Sequence, residues 1–308
     1  MGGYLKCFVD AVYEIGLRAC ANKLIVMKLL VATTRKDRSR SLIAQAARER
    51  DLDVTQLYYE DMDPEDMKPE KFSGYEYCIL RDPYNTGQDL SNTLRAILPF
   101  FRKEQVLDYD IVRNYTDFED KLSQHNLLRD TVKMPGFRHY ANPGGVQIEA
   151  FPVVVKKRIS SRGKGIFVVR SREELDRFLK ERDINDYIFE EHLDTEKDIR
   201  ILLIGKDIIG AVERGVRTKD NHGYDGIGVR VRGEYSVPSE LQNKAIEVSR
   251  RIGSDFCGID FIIDKGGRTW LLECNISPQF VALERTLNID AAGRLMDFIT
   301  SQNKHAGD

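Results

Sequence analysis

GIDFIIDKGGRTWLLECNISP, residues 258–278, is the stretch on which the reading of the fold turns. Two runs of alternating apolar residues flank Gly266 and Gly267. A Gly-Gly pair between such runs reads as a two-residue hairpin turn, because both positions tolerate the positive φ that primed turns require. That turn sets a register: Lys265 pairs with Arg268, Asp264 faces Thr269, Ile262 faces Leu271, Asp260 faces Glu273 and Gly258 faces Asn275. By the period-two rule these residues share one side of the ribbon, and Ile259, Phe261, Ile263, Trp270 and Leu272 take the other. One face is core. The other ends in a carboxylate opposite a carboxylate, with a carboxamide diagonal to both.

Like charges directly opposite on a sheet are destabilising, so the pair asks for a cation between its members. Carboxylate and carboxamide oxygens without His or Cys suit magnesium or manganese, which keep positions for water and phosphate oxygens. Asp260, Glu273 and Asn275 are therefore the candidate metal ligands. A solvated hairpin whose acids happen to align is the competing reading.

The 308 residues suffice for two or three cored units. With 47 basic and 49 acidic side chains, the charge balance gives no field-level argument for nucleic acid or membrane as a partner. Five cysteines without zinc spacing read as reduced, mostly buried small hydrophobes, which fits a cytoplasmic location. No apolar run reaches the roughly 18 residues of a membrane helix, and Asp10 and Glu14 argue against a signal peptide.

Residues 1–26 carry a helical apolar period and read as an extension ahead of the first strand, Met27 to Thr33. From there to residue 110, strands near residues 54–59 and 75–80 interleave with helices near 41–50 and 90–101, the pattern of a small parallel sheet covered on both faces. Thr116 with Glu119 reads as a capping box opening a helix that carries Lys121, and Ser171 with Glu174 as a second. Ser239 with Gln242 opens a third helix, and a last helix runs from about Asn288 to Thr300, with a frayed tail beyond. Between strands 151–157 and 166–169 lies SSRGKG, residues 160–165. Its glycines and lysines suggest a phosphate cradle, although the Walker spacing is missing and a plain glycine hairpin with solvated cations competes. The Gly-rich loop Thr218 to Gly228 is placed to close over a site.

In order along the chain stand the lysine of Asp120-Lys121-Leu122, the strand lysine Lys156 ahead of SSRGKG, Glu190-Glu191-His192-Leu193, the Asp198-Ile199-Arg200 strand, Glu213-Arg214, and the GIDF…LLECNISP hairpin. Together they resemble the ATP-grasp superfamily, and within it the RimK-like carboxylate-amine ligases, a group of ribosomal-protein glutamate ligases and amino-acid ligases. The resemblance runs from Met27 to Thr300. It implies an α/β fold with a small Rossmann-like domain (27–110) and a two-subdomain ATP-grasp clamp (111–190 and 191–300), followed by a tail (301–308). It implies ATP with one or two Mg2+ or Mn2+ ions as cofactors. Lys121 and Lys156 then hold the phosphates, and Gly163, Lys164 and Gly165 form the lid. Glu190, Glu191, His192 and Leu193 read adenine and ribose, Asp198 is a further nucleotide contact, and Arg214 stabilises charge on the transferred phosphoryl group or the acyl phosphate.

The implied reaction is ATP-dependent amide formation through an acyl phosphate, with an amino-acid, peptide or small-molecule carboxylate and an amine as substrates. A kinase acting on a small-molecule hydroxyl and a non-ligating ATP-binding protein are the competing readings, and a homo-oligomer stays open. Alone, each lysine reads as a solvated cation and Arg214 as the ion-pair partner of Glu213 or another acid. Two segments depart from the family pattern. Asn221-His222-Gly223-Tyr224 stands where an Arg-x-Asn is usual, leaving Arg217, Lys219 or His222 to substitute, and residues 279–284 are bulkier than the family's small segment after Asn-x-Ser-Pro. Both fall on the acceptor side and argue against glutamate ligation onto ribosomal protein.

Overall fold

In β1 (Lys28–Thr33) every residue after Lys28 is buried, so the strand has no polar face and must be covered on both sides. The computed structural model describes residues 26–160, 165–215 and 231–305, with side chains described as far as residue 302. The expected helix in residues 1–25, the lid residues Gly163 and Lys164, the loop Thr218 to Gly228, and Arg217, Lys219 and His222 lie outside these. After β1 come α1 (Arg40–Arg48), β2 (Asp53–Tyr58) and β3 (Tyr77–Leu80). The three strands form a parallel sheet in the order β2-β1-β3. Leu29 and Val31 face α1, while Leu30 and Ala32 face α2 (Ser91–Ile97), α3 (Tyr109–Arg113) and α4 (Tyr115–Glu119).

Next come α5 (Lys121–Leu128), β4 (Phe137–His139), β5 (Val153–Lys157), β6 (Ile166–Val169), α6 (Arg172–Glu181) and β7 (Tyr187–Glu191). Their strands make an antiparallel sheet, β4-β7-β5-β6, whose core of Val153, Val155, Leu175, Phe178 and Phe189 is its own. The chain continues through β8 (Thr195–Ile204), β9 (Asp207–Arg214), β10 (Val231–Glu234), α7 (Ser239–Ile252), β11 (Phe256–Asp264) and β12 (Thr269–Asn275). These strands form a second antiparallel sheet, β10-β9-β8-β11-β12. α8 (Val281–Leu287) and α9 (Ala291–His305) close the fold. The parallel sheet and the five-stranded sheet share their cores: Ile199, Ile201 and Phe261 cluster with Leu30, and Leu202 and Ile204 cluster with Leu29 and with Leu295 and Met296 of α9.

Local signals meet mixed outcomes. Ser171 caps α6 as expected, accepting from Glu174 N at 3.3 Å. Thr116 does not open the Lys121 helix: Tyr115–Glu119 is a helix in its own right, and Asp120, with extended backbone, caps α5 by accepting from Leu122 N at 3.0 Å. α7 starts after Pro238 without a side-chain cap. The expected last helix from about Asn288 to Thr300 is α9, which starts at Ala291 and runs on to His305 where a frayed tail was expected, and an unexpected helix, α8, precedes it and ends where Asn288 adopts a left-handed conformation (φ 51°). Cys78, Cys257 and Cys274 are buried free thiols. Among the described residues no helix is long and apolar enough to cross a membrane.

The bulk of residues 279–280 goes into docking. Gln279 Nε2 donates to Asp37 Oδ1 at 2.7 Å, Arg38 N donates to Gln279 Oε1 at 3.0 Å, and Phe280 N donates to Ser39 Oγ at 3.1 Å. Beneath them Arg81, only 1% exposed, donates to Asp37 Oδ2 at 2.6 Å and to the Pro278 carbonyl at 2.9 Å. Breaking a buried ion pair from one side leaves an uncompensated charge, which costs about 3–5 kcal/mol. Arg81→Met is therefore expected to lose about that much stability in a urea titration, and adding Asp37→Asn is expected to recover part of it.

Candidate active site

The hairpin of β11 and β12 keeps its functional end and changes its turn. Gly258 faces Asn275 and Asp260 faces Glu273, as the register requires. Nearer the turn the pairing is offset by one, with Ile262 on Trp270 and Ile263 on Thr269. The loop has three residues rather than two: Asp264 N donates to Arg268 O at 3.0 Å, and of the two glycines Gly267 alone takes positive φ (76°). The cause is Asp264, whose carboxylate accepts from Gly266 N and Arg268 N at 2.9 Å each and from Trp270 Nε1 at 2.9 Å. A register shift beside Asp260, with Leu272 as the extra residue, restores the expected pairing beyond it. Leu271 and Leu272 consequently exchange faces: Leu271 is core and Leu272 lines the cleft.

That cleft lies between the four- and five-stranded sheets. Lys121, Lys156, Glu190, Glu191, His192, Leu193, Asp198, Arg214, Asp260 and Glu273 all line it. Asn275 is not among the lining residues but adjoins two of them, its Nδ2 3.3 Å from Asp260 Oδ2 and 3.4 Å from Glu273 Oε1. Gly165 is the described part of the expected lid and stands outside the lining, at the base of the β5–β6 hairpin. Its φ of +73° and its packing require glycine, since a Cβ there would lie 2.7 Å from Lys157 Cβ.

Strand pairing builds the charge pattern. Asp198 faces Arg214 across β8 and β9, and Asp260 faces Arg200 across β8 and β11. Arg200 grips Asp260 with both arms of its fork, at 2.7 and 2.6 Å, while Arg214 reaches Asp260 Oδ2 at 3.0 Å and Asp198 Oδ1 at 2.9 Å. Burial alone would raise Asp260, but the charges of Arg200 and Arg214 override it and hold the carboxyl at about 2. Asp198 moves the other way, pushed up by burial and by the neighbouring Asp260 against the pull of Arg214. Arg214 stays charged despite its burial, held so by Asp260 and Asp198. Its partners are these two acids and not Glu213, whose carboxylate lies 3.5 Å from Arg232.

On the opposite wall Lys156 donates to Glu190 Oε2, and His125 Nε2 lies 2.8 Å from Glu190 Oε1. Burial of Glu190 would raise its pKa, yet the Lys156 charge and the hydrogen bonds from His125 and Lys156 bring it down to about 2. An ionised carboxylate only accepts, so the His125 proton sits on Nε2. Its Nδ1 has no partner, and the ring stacks on Phe137 at 4.2 Å between centroids. Lys121 Nζ donates to Ser160 O at 3.0 Å and lies 3.9 Å from Glu273 Oε2.

A RimK-like ATP-grasp domain matches residues 119–299, more than half of the sequence. The chain belongs to the RimK-like ATP-grasp family. Human N-acetylaspartylglutamate synthase A is 33% identical over 248 residues, which cover 76% of this chain and 58% of that protein. Mouse beta-citrylglutamate synthase B is 26% identical over 236 residues, 74% of this chain and 57% of that one. The chain thus spans under two thirds of these relatives. In fold it is similar to the ATP-grasp ligase PsnB complexed with a phosphomimetic variant of minimal precursor, Mg and ADP (TM-score 0.66, 19% identity, 90% of this chain and 98% of that one). It is also similar to the macrocyclase MdnC from Microcystis aeruginosa MRC bound with its precursor peptide MdnA (TM-score 0.67, 17% identity, 89% and 100%).

Two residues that hold lining side chains of this ATP-grasp cleft are not singled out by the sequence, Arg200 on Asp260 and His125 on Glu190. Arg200 is the tightest partner of Asp260. His125 lies four residues after Lys121 on α5, and that helical spacing is the signal that could have found it. Among the described residues no three His, Cys, Asp or Glu side chains cluster to hold a metal. Asp260 Oδ2 and Glu273 Oε1 nevertheless lie 3.3 and 3.4 Å from Asn275 Nδ2, so the three oxygen-bearing side chains meet at one place. This donor set fits magnesium or manganese.

Proposed function

We propose that the chain is an ATP-dependent carboxylate-amine ligase: a carboxylate attacks the γ-phosphorus of ATP and releases ADP, an amine then attacks the acyl phosphate, and phosphate and a proton leave as the amide forms. The observation that carries this reading is one cleft lined by Lys121 and Lys156, by Asp198, Asp260 and Glu273 of the five-stranded sheet, and by Arg214. Lys121 and Lys156 bind the phosphates. Asp260, Glu273 and Asn275 hold one or two Mg2+ or Mn2+ ions, which when bound offset the repulsion between a carboxylate and the γ-phosphate. Arg214, fixed by Asp198 and Asp260, faces the transferred phosphoryl group, so Asp198 acts through Arg214 as well as on the nucleotide.

Adenine is read along Glu191, His192 and Leu193. Both Glu190 oxygens are committed to Lys156 and His125, so the exposed Glu191 is the acid left for the ribose. Relatives named for citrylglutamate and N-acetylaspartylglutamate support an amino acid such as glutamate as the amine and a small carboxylate as the donor. The test is phosphate release from magnesium-ATP across pooled carboxylates and amines. Release that needs one member of each pool, with an amide product, is expected. Release without an amine would make the protein a kinase or an uncoupled ATPase.

A further inference from the structure

Gln124 has no part in the ligase reading, yet its side chain ties the helix of Lys121 to the strand of Glu273. It lies on α5 three residues after Lys121, on the same helical face. The residue is 5% exposed, and its carboxamide is fully committed. Nε2 donates to the carbonyls of Cys274 and Phe118 at 2.9 and 2.6 Å, and Oε1 accepts from Cys274 N at 3.0 Å. Turning the amide over would set its oxygen against two carbonyls, so the network fixes its orientation.

β12 is the outer strand of the five-stranded sheet, bonded to β11 on one side alone. Where a sixth strand would pair with Cys274, the Gln124 amide supplies the same donor and acceptor. The residues on either side of Cys274 are Glu273 and Asn275, whose side chains leave the face opposite to that of Cys274. This end of the strand needs such a hold. The extra residue Leu272 interrupts the ladder immediately before Glu273, and a bulge leaves the local pairing open. Outward bonds close the gap on both sides: Leu271 N donates to Lys133 O at 2.8 Å ahead of the bulge, and Gln124 grips Cys274 beyond it. Lys121 Nζ, one helical turn from Gln124, stands 3.9 Å from Glu273 Oε2.

We propose that Gln124 is a positioning residue for the metal ligands: standing in for a missing strand, it sets Glu273 and Asn275 in register and holds them against Lys121. The metal ligands are those of the ligase reading, on which this role rests. It is tested on the full chain with Mn2+ alone, bound metal being read from water proton relaxation. Gln124→Met keeps the length and bulk of the side chain and removes all three bonds. It is expected to weaken Mn2+ binding about tenfold or more, the scale of losing a partner that orients a metal's ligands, and to raise the magnesium needed for half-maximal phosphate release by a like factor. Leu175→Ala, in the separate core of the four-stranded sheet, controls for lost stability: it is expected to lower the melting midpoint and to keep wild-type Mn2+ affinity. Should Gln124→Met fail to fold, Gln124→Asn, whose stem is one carbon too short to bond both groups of Cys274, is expected to weaken Mn2+ binding in the same direction. Wild-type Mn2+ affinity in a folded Gln124 variant overturns the positioning role and leaves Gln124 as a cover for the strand edge. An equal loss of affinity in Leu175→Ala overturns it too, the effect then being one of stability. If Glu273→Gln binds Mn2+ as wild type does, the hairpin is not the metal site and the role of Gln124 falls with it, whereas absence of amide product in the pooled assay overturns the ligase reading alone.

Discussion

Glu273→Gln is expected to lower magnesium-dependent phosphate release by on the order of a hundredfold or more, since loss of even an outer-shell partner of a metal site costs 10–100-fold. The same variant is expected to unfold in urea close to where wild type does. The side chain of Glu273 is 33% exposed, and its nearest cation, Lys121, is 3.9 Å away, so little of the fold leans on its charge. Removing that charge also relieves the pair that Asp260 and Glu273 make across the hairpin. The choice of acid matters. Asp260 accepts from Arg200 at both oxygens and from Arg214, so Asp260→Asn leaves the half-buried Arg200 without its carboxylate and Arg214 with Asp198 alone, and confounds activity with stability. Two readings of Glu273→Gln decide the matter: the magnesium concentration for half-maximal release, expected to rise, and the melting midpoint, expected to hold. Normal release at normal magnesium would mean that the hairpin is not the metal site.

The end of the hairpin was legible because its register is local, and it was legible partly by luck. The Gly-Gly reading misplaced the turn by one residue, since Asp264 fastens a three-residue loop, and the extra residue Leu272 restored the count before Glu273. An unbroken apolar run marked β1 for the same local reason: successive side chains go to opposite cores whatever lies beyond them, so both faces must be apolar. What the sequence did not disclose is non-local. Arg200 and Asp260 are 60 residues apart, His125 and Glu190 are 65 apart, and Arg81 and the Pro278 carbonyl are 197 apart. No period or spacing connects such pairs. Arg200 meets Asp260 through the pairing of β8 with β11, His125 meets Glu190 where α5 packs beside β7, and Arg81 meets Pro278 where the parallel sheet docks on the chain after β12, and each of these is a property of tertiary packing. The bulk at Gln279 and Phe280, read as a change in the acceptor site, is likewise explained by contacts 241–242 residues away.

Lys156→Met is expected to cost about 3–5 kcal/mol of stability as well as most of the ATP affinity, because it leaves Glu190 buried with only His125 beside it. The pH dependence separates the two losses. In wild type Glu190 is held at about 2, below its unfolded value, so its contribution is fully present above roughly pH 5 and fades as pH falls toward 2. Without Lys156 the largest influence left is burial, which raises the carboxyl, so the sign inverts: the variant is expected to gain stability on acidification, as Glu190 takes a proton, where wild type loses it. Thermal melts from pH 7 to pH 4 would show curves of opposite slope for this group. Adding Glu190→Gln removes the stranded charge and is expected to recover much of the stability while ATP binding stays lost. If the double variant regains ATP binding along with its fold, Lys156 is a structural partner of Glu190 and the phosphates are held elsewhere. If it regains the fold alone, the buried carboxylate serves to aim a lysine whose work is on the nucleotide.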